Sequence, residues 1–431
     1  MLKKTLIFLL VSMIALAVLV SCKPKEAASV KQGQVITLKY ADWEKFDTKF
    51  IDEWNKTHPN IQVEFIPIPD NGEKMTKVDI LAMSGDIDIM PMSDAEQFIR
   101  MQNGVLSPLT KYLEQDKIDM KNIYGAFEDW SKHQNVYYCM PLRTSLQVVY
   151  YNRDMFDAAK EAYPDDNWTW DQYIEKAKRL TKGEGQNKIY GTYTHTFGGD
   201  WATVATQGAS FYTADEKSNI KAPAFVKGLN VRKDMDGKYQ MPFSQITAVK
   251  TMPNSEFFGG KAAMAMAGSW MVRDMKNKEK FPFSFRVGVA YIPRYDASMP
   301  GKRISMSCSA LGIPANSKYK DEAWQFIKYY ITQCSSTVAS SGNIPCYQPA
   351  WNDDLVTIFL TNSGLPLEEG RKFFDKSATV TTNKVVGPAA AMYNQIINEQ
   401  TPLFFNGEKS LDTVLNDIET RANAEIAKEK K

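Results

Sequence analysis

The sequence predicts an α/β fold, because strand-like and helix-like segments take turns along nearly the whole chain after residue 34. Alternation of apolar and polar residues marks a strand, and apolar residues three and four apart mark a helix. A regular exchange of the two argues for a parallel sheet covered on both faces. Setting aside the first 34 of 431 residues leaves 397, enough for two domains by the usual size of a domain.

The first residues read as a targeting segment. Lys3 and Lys4 supply positive charge, and Thr5 to Val20 is apolar except for Ser12 and Thr5 itself. That run falls short of the roughly 20 residues a membrane-spanning helix needs. A charged start and a short apolar core are the parts of a secretory signal, assigned here to residues 1–21. Leu19-Val20-Ser21-Cys22 resembles the bacterial lipobox, in which the cysteine is acylated and becomes the new N-terminus. The alternative is a simple signal peptide with an unrelated Cys22. Acylation implies an anchor without a span, since each buried methylene contributes about 0.8 kcal/mol. Residues 22–34 are polar, lack an apolar period and read as a flexible tether.

The mature chain opens with a strand over Val35 to Tyr40. Phe46, Phe50, Ile51 and Trp54 then recur at helical spacing, up to Thr57-His58-Pro59. Ile61 to Ile66 returns to alternation, and Met75 to Met83 reads as a helix stopped at Ser84-Gly85. Ile87 to Met90 is a short strand closed by Pro91, followed by a helix over Asp94 to Gln102. Leu146 to Tyr151 is a strand. Thr169 is the expected N-cap of a helix carrying Tyr173, Ile174, Ala177 and Leu180. Ala262 to Ala267 is small, apolar and expected to be buried, and Arg286 to Ile292 is a strand ended by Pro293. Asp321 to Gln333 places Ala323, Phe326, Ile327, Tyr330 and Ile331 on one stripe, and Ser410 to Lys428 is a second amphipathic helix.

With 52 basic against 50 acidic side chains, nothing calls for nucleic acid or an anionic surface. Beyond Cys22 the cysteines are Cys139, Cys308, Cys334 and Cys346, whose spacing fits no zinc site and whose pairing, if any, sequence leaves open. His58, His133 and His195 are isolated, and no zinc-protease, nucleophile-elbow or phosphate-loop motif appears. Asp234-Met235-Asp236-Gly237 lacks the downstream pattern of a calcium loop and reads as a turn. No cofactor or metal is expected, and no enzymatic activity.

Several segments together resemble the bacterial extracellular solute-binding proteins of the maltose-binding type, the substrate-binding lipoproteins of ABC sugar importers. They are Phe46 to Phe65, Leu81 to Leu109, Tyr137 to Phe156, Trp168 to Leu180, Phe257 to Trp270 with its Gly-Lys-Ala-Ala-Met and Gly-Ser-Trp, and Leu311 to Ile327. Their order and spacing carry the resemblance, which spans Ile36 to the C-terminus. It implies two discontinuous α/β lobes with a ligand cleft between them, the type II periplasmic-binding-protein arrangement. One lobe is expected over 35–142 plus 289–343, the other over 143–288 plus 344–431. The chain would cross between lobes near Met140 to Thr144, Arg286 to Ala290 and Asn343 to Cys346, with hinge closure about them. The implied partners are a carbohydrate, the permease subunits of an importer and, through the anchor, a membrane, with the protein itself a monomer on the outer side.

A sugar offers apolar C–H faces and a rim of hydroxyls. Flat aromatic surface gains roughly 25 cal/mol per Å² buried, and a hydrogen bond to a charged group about 1.5–3 kcal/mol. By resemblance Trp270, after Gly268-Ser269, is the stacking platform; otherwise it is a core residue at a helix start. Asp94 lies past the Ile87–Met90 strand, either at the cleft edge or as an N-cap. Asp42 and Trp43 end the first strand, at the cleft or, for Trp43, over the core. Arg143 sits in the first crossing and either grips hydroxyls or forms a hinge salt bridge. Asp200 and Trp201 follow the flexible Gly198-Gly199, and Arg303 lies in the loop between Gly301 and a strand over Ile304 to Ile313. Asn343 and Tyr347 are weaker candidates. The alternatives are a secreted glycoside hydrolase with a carboxylate pair, a binding protein for glycerol phosphate or a polyamine, and an adhesive surface lipoprotein. The many tryptophans, with no basic cluster at the predicted cleft, favour a neutral sugar over a phosphate.

Overall fold

The computed structural model describes residues 35–44, 48–69, 73–93, 97–195 and 200–429. The signal segment, Cys22, the tether, Asp94 and Gly198-Gly199 lie outside these described residues. Strand β1 (Ile36–Asp42) buries Ile36, Leu38 and Tyr40 at alternate positions and pairs in parallel with β2 (Ile61–Pro67). The helix Lys49–Thr57 between them buries Phe50, Ile51 and Trp54, and the Trp54 indole N–H donates to the Ile61 carbonyl at 2.8 Å. The helix Lys74–Ser84 stops where expected, at Gly85 with φ of 75°.

The next strand departs from expectation. It is β3, Met90–Ser93, and it runs through Pro91 rather than ending there. Pro91 lies opposite Leu311, and Ile89 makes only an isolated bridge to Tyr40. A proline is tolerated there because so short a strand asks for few N–H donors. After a short hairpin of β4 (Lys132–His133) and β5 (Val136–Tyr137) comes β6, Cys139–Asn152, which extends the predicted Leu146–Tyr151 strand to 14 residues. At roughly 3.3 Å per residue it is about 46 Å long.

Most later strands attach to β6. The later strands are β7 (Tyr190–Tyr193), β8 (Ala262–Ala267), β9 (Val287–Ala290), β10 (Arg303–Gly312), β11 (Ile344–Pro345) and β12 (Thr379–Thr381), of which β7 and β12 join through β8 and β10. The first half of β6 pairs with β10, from Cys139 opposite Gly312 to Leu146 opposite Met306, and with β11 at Thr144 and Arg143. The second half pairs with β8 and β9. All four pairings are antiparallel, whereas β1–β2, β7–β8 and β10–β12 are parallel. The sheet is therefore mixed, not the parallel sheet expected. Strand–helix alternation reports only local crossovers, and β9, β10 and β11 return to β6 from 135 or more residues away. Two of the expected crossings, Met140 to Thr144 and Asn343 to Cys346, meet where β11 pairs with β6.

Both faces of β6 are buried. Leu146, Val148 and Tyr150 enter one cluster with Phe257, Phe326 and Tyr330, while Val149 and Tyr151 enter another with Trp168, Trp170 and Tyr173. The helix Trp170–Leu180 that supplies the second cluster begins at a capping box of Thr169 and Gln172, as predicted. A third cluster joins Trp201, Phe225 and Phe211 to the C-terminal helices Ala390–Phe405 and Leu411–Glu429 through Tyr393 and Ile418. The four described cysteines are free and buried, so none of the possible pairings is made among them.

One ion pair ties β1 to β6. The Arg143 Nη1 and Nη2 atoms donate to Asp42 Oδ2 and Oδ1 at 2.9 and 2.8 Å. Asp42 also accepts from the Tyr40 hydroxyl at 2.5 Å and the Glu44 N–H at 3.0 Å. Their side chains are 0% and 4% exposed. Burial opposes the Arg143 charge, but the Asp42 carboxylate overrides it and raises the guanidinium pKa. Removing one partner of a buried pair strands the other, at a cost of about 3–5 kcal/mol. Asp42→Ala is expected to lower unfolding free energy by about that amount in urea titration, with Asp42→Asn losing less; a change below about 1 kcal/mol would contradict the buried pair.

Candidate ligand-binding site

Polar residues interrupt the apolar pattern of β6 at Ser145 and Gln147, on the same strand face as Val149 and Tyr151. With Ser307 of β10, opposite Ser145, they open a cavity of about 220 Å³. Trp270, His195 and Lys384 complete its polar and aromatic lining. His195, Asn383 and Lys384 also border a second cavity of about 700 Å³, so the two adjoin. The larger one runs between Trp201, Phe243 and the helix Ala390–Phe405, whose Asn394 and Asn398 face it.

Local sequence fixes the indole. Strand β8 is all small or unbranched and fully buried, and it ends at Gly268. A Cβ at Gly268 would lie 2.3 Å from Ser145 Oγ and 2.6 Å from Trp270 Cδ1, so only glycine lets β6 and the indole approach this closely. The Tyr150 hydroxyl donates to the Gly268 carbonyl at 3.1 Å, and the Leu146 N–H donates to Ser269 Oγ at 3.4 Å. Trp270 then opens the helix Trp270–Lys276, half-buried, its body against the main core and its remainder on the smaller cavity. Asn383 Nδ2 lies 3.3 Å from Thr203 Oγ1 and 3.5 Å from Gln147 Oε1, linking the segment after β12 to β6 and the helix Asp200–Ala205.

Two nitrogenous side chains, Arg232 and His195, line the larger cavity, and His195 reaches the smaller one as well. Arg232 is buried between the rings of Phe243 and Phe405, 5.5 and 5.9 Å from their centres. With its amide oxygen turned inward, Gln240 accepts from Arg232 Nη1 at 2.6 Å and Nε at 2.9 Å. Burial, with Arg232 nearby, pushes the His195 pKa below its ordinary value, so His195 meets the cavities as a neutral imidazole.

The candidate residues separate. Trp270 faces the smaller cavity, and Trp201 borders the larger one while being 7% exposed and edge-on to Phe211. Asp200 opens the same helix as Trp201. Asp42 and Arg143 are engaged with each other, and Trp43 lies over them, 5.6 Å from the Arg143 guanidinium and 4.7 Å from Lys74 Nζ. None of these three lines either cavity. Arg303 is the first residue of β10, not a loop residue, and is 6% exposed. Asn343 is buried and bonded to Ser341, and Tyr347 packs on the main core. Sequence reading missed Ser145, Gln147, Ser307, Asn383 and Lys384 and set His195 aside as isolated. Ser145 and Gln147 carried a signal, being polar at alternate positions of an otherwise apolar strand.

The model of the family described as "Bacterial extracellular solute-binding protein" matches residues 40–333. A multiple sugar-binding protein of Streptococcus mutans is 24% identical over 344 residues, 73% of this chain and 75% of that one. A mannitol-binding protein of Pseudomonas aeruginosa is 24% identical over 298 residues, 65% of this chain and 64% of that one. Among solved structures, a sugar transporter from Rhizobium etli in an open conformation superposes with a TM-score of 0.78 at 23% identity, covering 90% of this chain and 100% of that one. The fold is thus the expected two-lobe, type II periplasmic-binding-protein arrangement.

Gly268→Ala is expected to displace the indole and weaken ligand binding at least about tenfold, roughly the 1–3 kcal/mol of an overpacked site, as read by calorimetry; unchanged affinity would show that the indole position is unimportant. His195 has a folded pKa below its unfolded value. Its contribution to stability is therefore present above about pH 6.5 and is lost as pH falls through the folded pKa. Urea midpoints measured from pH 7.5 to 5 are expected to fall less in His195→Asn than in the parent.

Proposed function

The chain belongs to the bacterial extracellular solute-binding proteins, and from that premise we propose that it captures a carbohydrate or sugar alcohol beside Trp270 and delivers it to the permease of an ABC importer. The observation that carries the reading is the smaller cavity itself. It lines one space with an indole and with Ser145, Gln147, Ser307 and Asn383, a flat apolar surface beside hydroxyl and amide groups. That is the complement of a sugar ring with its C–H face and hydroxyl rim. The relatives whose names specify sugars and mannitol support the same solute class.

In this proposal the lobes are 35–142 plus 289–343 and 143–288 plus 344–431. The smaller cavity then takes Met306 and Ser307 from the first and Ser145 and Trp270 from the second. A ligand touching both sides stabilises the closed arrangement by the difference of its affinities for closed and open forms. Trp201 would serve the larger cavity, Asp94 and Asp200 the cleft edge, and Asp42, Trp43 and Arg143 would brace the wall behind. The proposal also includes acylation at Cys22, an extracytoplasmic location on that anchor, and a monomeric state. A hydrolase would need two carboxylates flanking the scissile bond. Among the described residues, neither cavity is lined by Asp or Glu, which favours capture over cleavage.

The test is titration calorimetry and thermal shift of the mature chain against monosaccharides, sugar alcohols and short oligosaccharides, with product analysis alongside. Heat-stabilisation without turnover is expected for at least one member. Trp270→Ala is expected to cost about 1.5–3 kcal/mol of affinity, roughly ten- to hundredfold, while the unliganded melting temperature stays nearly unchanged. Release of shortened sugars, or no binding across the panel, overturns the proposal.

A further inference from the structure

The charge of the site points to a narrower solute class, an inference that rests on the sugar-capture reading above. Hydroxyl groups of a neutral sugar donate protons, and carboxylates are the strongest acceptors a protein can offer them. Among the described residues, the ionisable side chains lining one or both cavities are His195, Arg232 and Lys384, all of them nitrogenous. Arg232 is engaged by Gln240 and by the Thr194 carbonyl at 3.3 Å. Lys384 differs. Among the described residues it is held through its backbone N–H, which donates to Thr382 Oγ1 at 3.1 Å, and its ammonium has no ion-pair partner.

A second observation lies along β10. Alternation places Arg303, Ser305 and Ser307 on one strand face, and no irregularity interrupts the register before Ser309. Ser307 lines the smaller cavity; behind it, Ser305 Oγ and Arg303 Nε are both buried without a hydrogen-bond partner. Arg303 is 6% exposed and makes no ion pair with a described residue, and burial lowers its pKa. A guanidinium Nε shut off from water with no acceptor is costly. Beside this row, Thr379 and Thr381 of β12 lead to Asn383 and Lys384 at the mouth.

We propose that the solute is an anionic sugar, whose carboxylate or phosphate is received by Lys384 in the smaller cavity, with the uncompensated charge of Arg303 behind it along the β10 row. Arg303 lies about 13 Å from Ser307 along the strand, at roughly 3.3 Å per residue. At that distance its part is a salt-sensitive field rather than a contact, so it is a positioning residue and Lys384 is the contact.

Titration calorimetry of the mature chain would compare D-galacturonate, trigalacturonate and D-glucose 6-phosphate with the neutral matches D-galactose, galactotriose and D-glucose. At least one anionic member is expected to bind about tenfold or more tighter than its match, the worth of one charge-assisted hydrogen bond. Its affinity should fall between 50 and 500 mM NaCl while the neutral match is unmoved. Lys384→Met is expected to erase the preference, Lys384→Arg to retain it, and Arg303→Gln to reduce both preference and salt dependence with urea stability intact or raised. Whether uronate or phosphate wins identifies the acidic group, and either supports the assignment. Neutral sugars binding as tightly as their anionic matches overturn it and leave sugar capture standing; no binding by any member overturns both.

Discussion

A strand buried on both faces cannot leave its backbone groups to water, so every N–H and C=O along it must be met by a neighbouring strand. Strand β6 is under that constraint for 14 residues, and β8, β9, β10 and β11 answer it. Each comes from a distant part of the chain, so pairing β6 also gathers the site. The end of β8 brings Gly268 and Trp270, β10 brings Ser307, and β12, one strand further out, brings Asn383 and Lys384. The Asp42–Arg143 pair then pins β1 to the same strand from the side. Positioning of the cavity wall is therefore a by-product of hydrogen-bond satisfaction in the sheet.

How much was legible depended on the range of the interaction involved. The capping box at Thr169, the glycine stop at Gly85 and the buried run Ala262 to Ala267 are local, and each was readable from a few neighbouring residues. Strand β3 was misplaced because what decides it is its partner β10, more than 200 residues later, which outweighs the breaking tendency of Pro91. The mixed sheet was missed for the same reason. Strand direction is set by the partner, and the partner is invisible to a window of ten or fifteen residues.

The same rule divides the site. Trp270 was chosen through resemblance, and it lines the smaller cavity. Asp42 at the end of a strand and Arg143 in a crossing segment read equally well in sequence as ligand contacts or as structural charges; 101 residues apart, they are matched to each other. Only a residue's surroundings distinguish a ligand contact from a structural ion pair. Lys384 sits in a segment with no motif and no strong periodicity, so nothing in its own neighbourhood could have marked it.

Three of the interior thiols, Cys139, Cys334 and Cys346, carry a consequence for how this protein survives outside the cytoplasm. Burial pushes the Cys139 and Cys346 ionisations well above the ordinary range and that of Cys334 up to about 12. Only the deprotonated sulfur attacks a disulfide, so at neutral pH these groups are chemically quiet once the fold has closed. For these three, oxidative mispairing is then chiefly a hazard of the nascent chain, and speed of folding after export becomes their safeguard against scrambled cross-links.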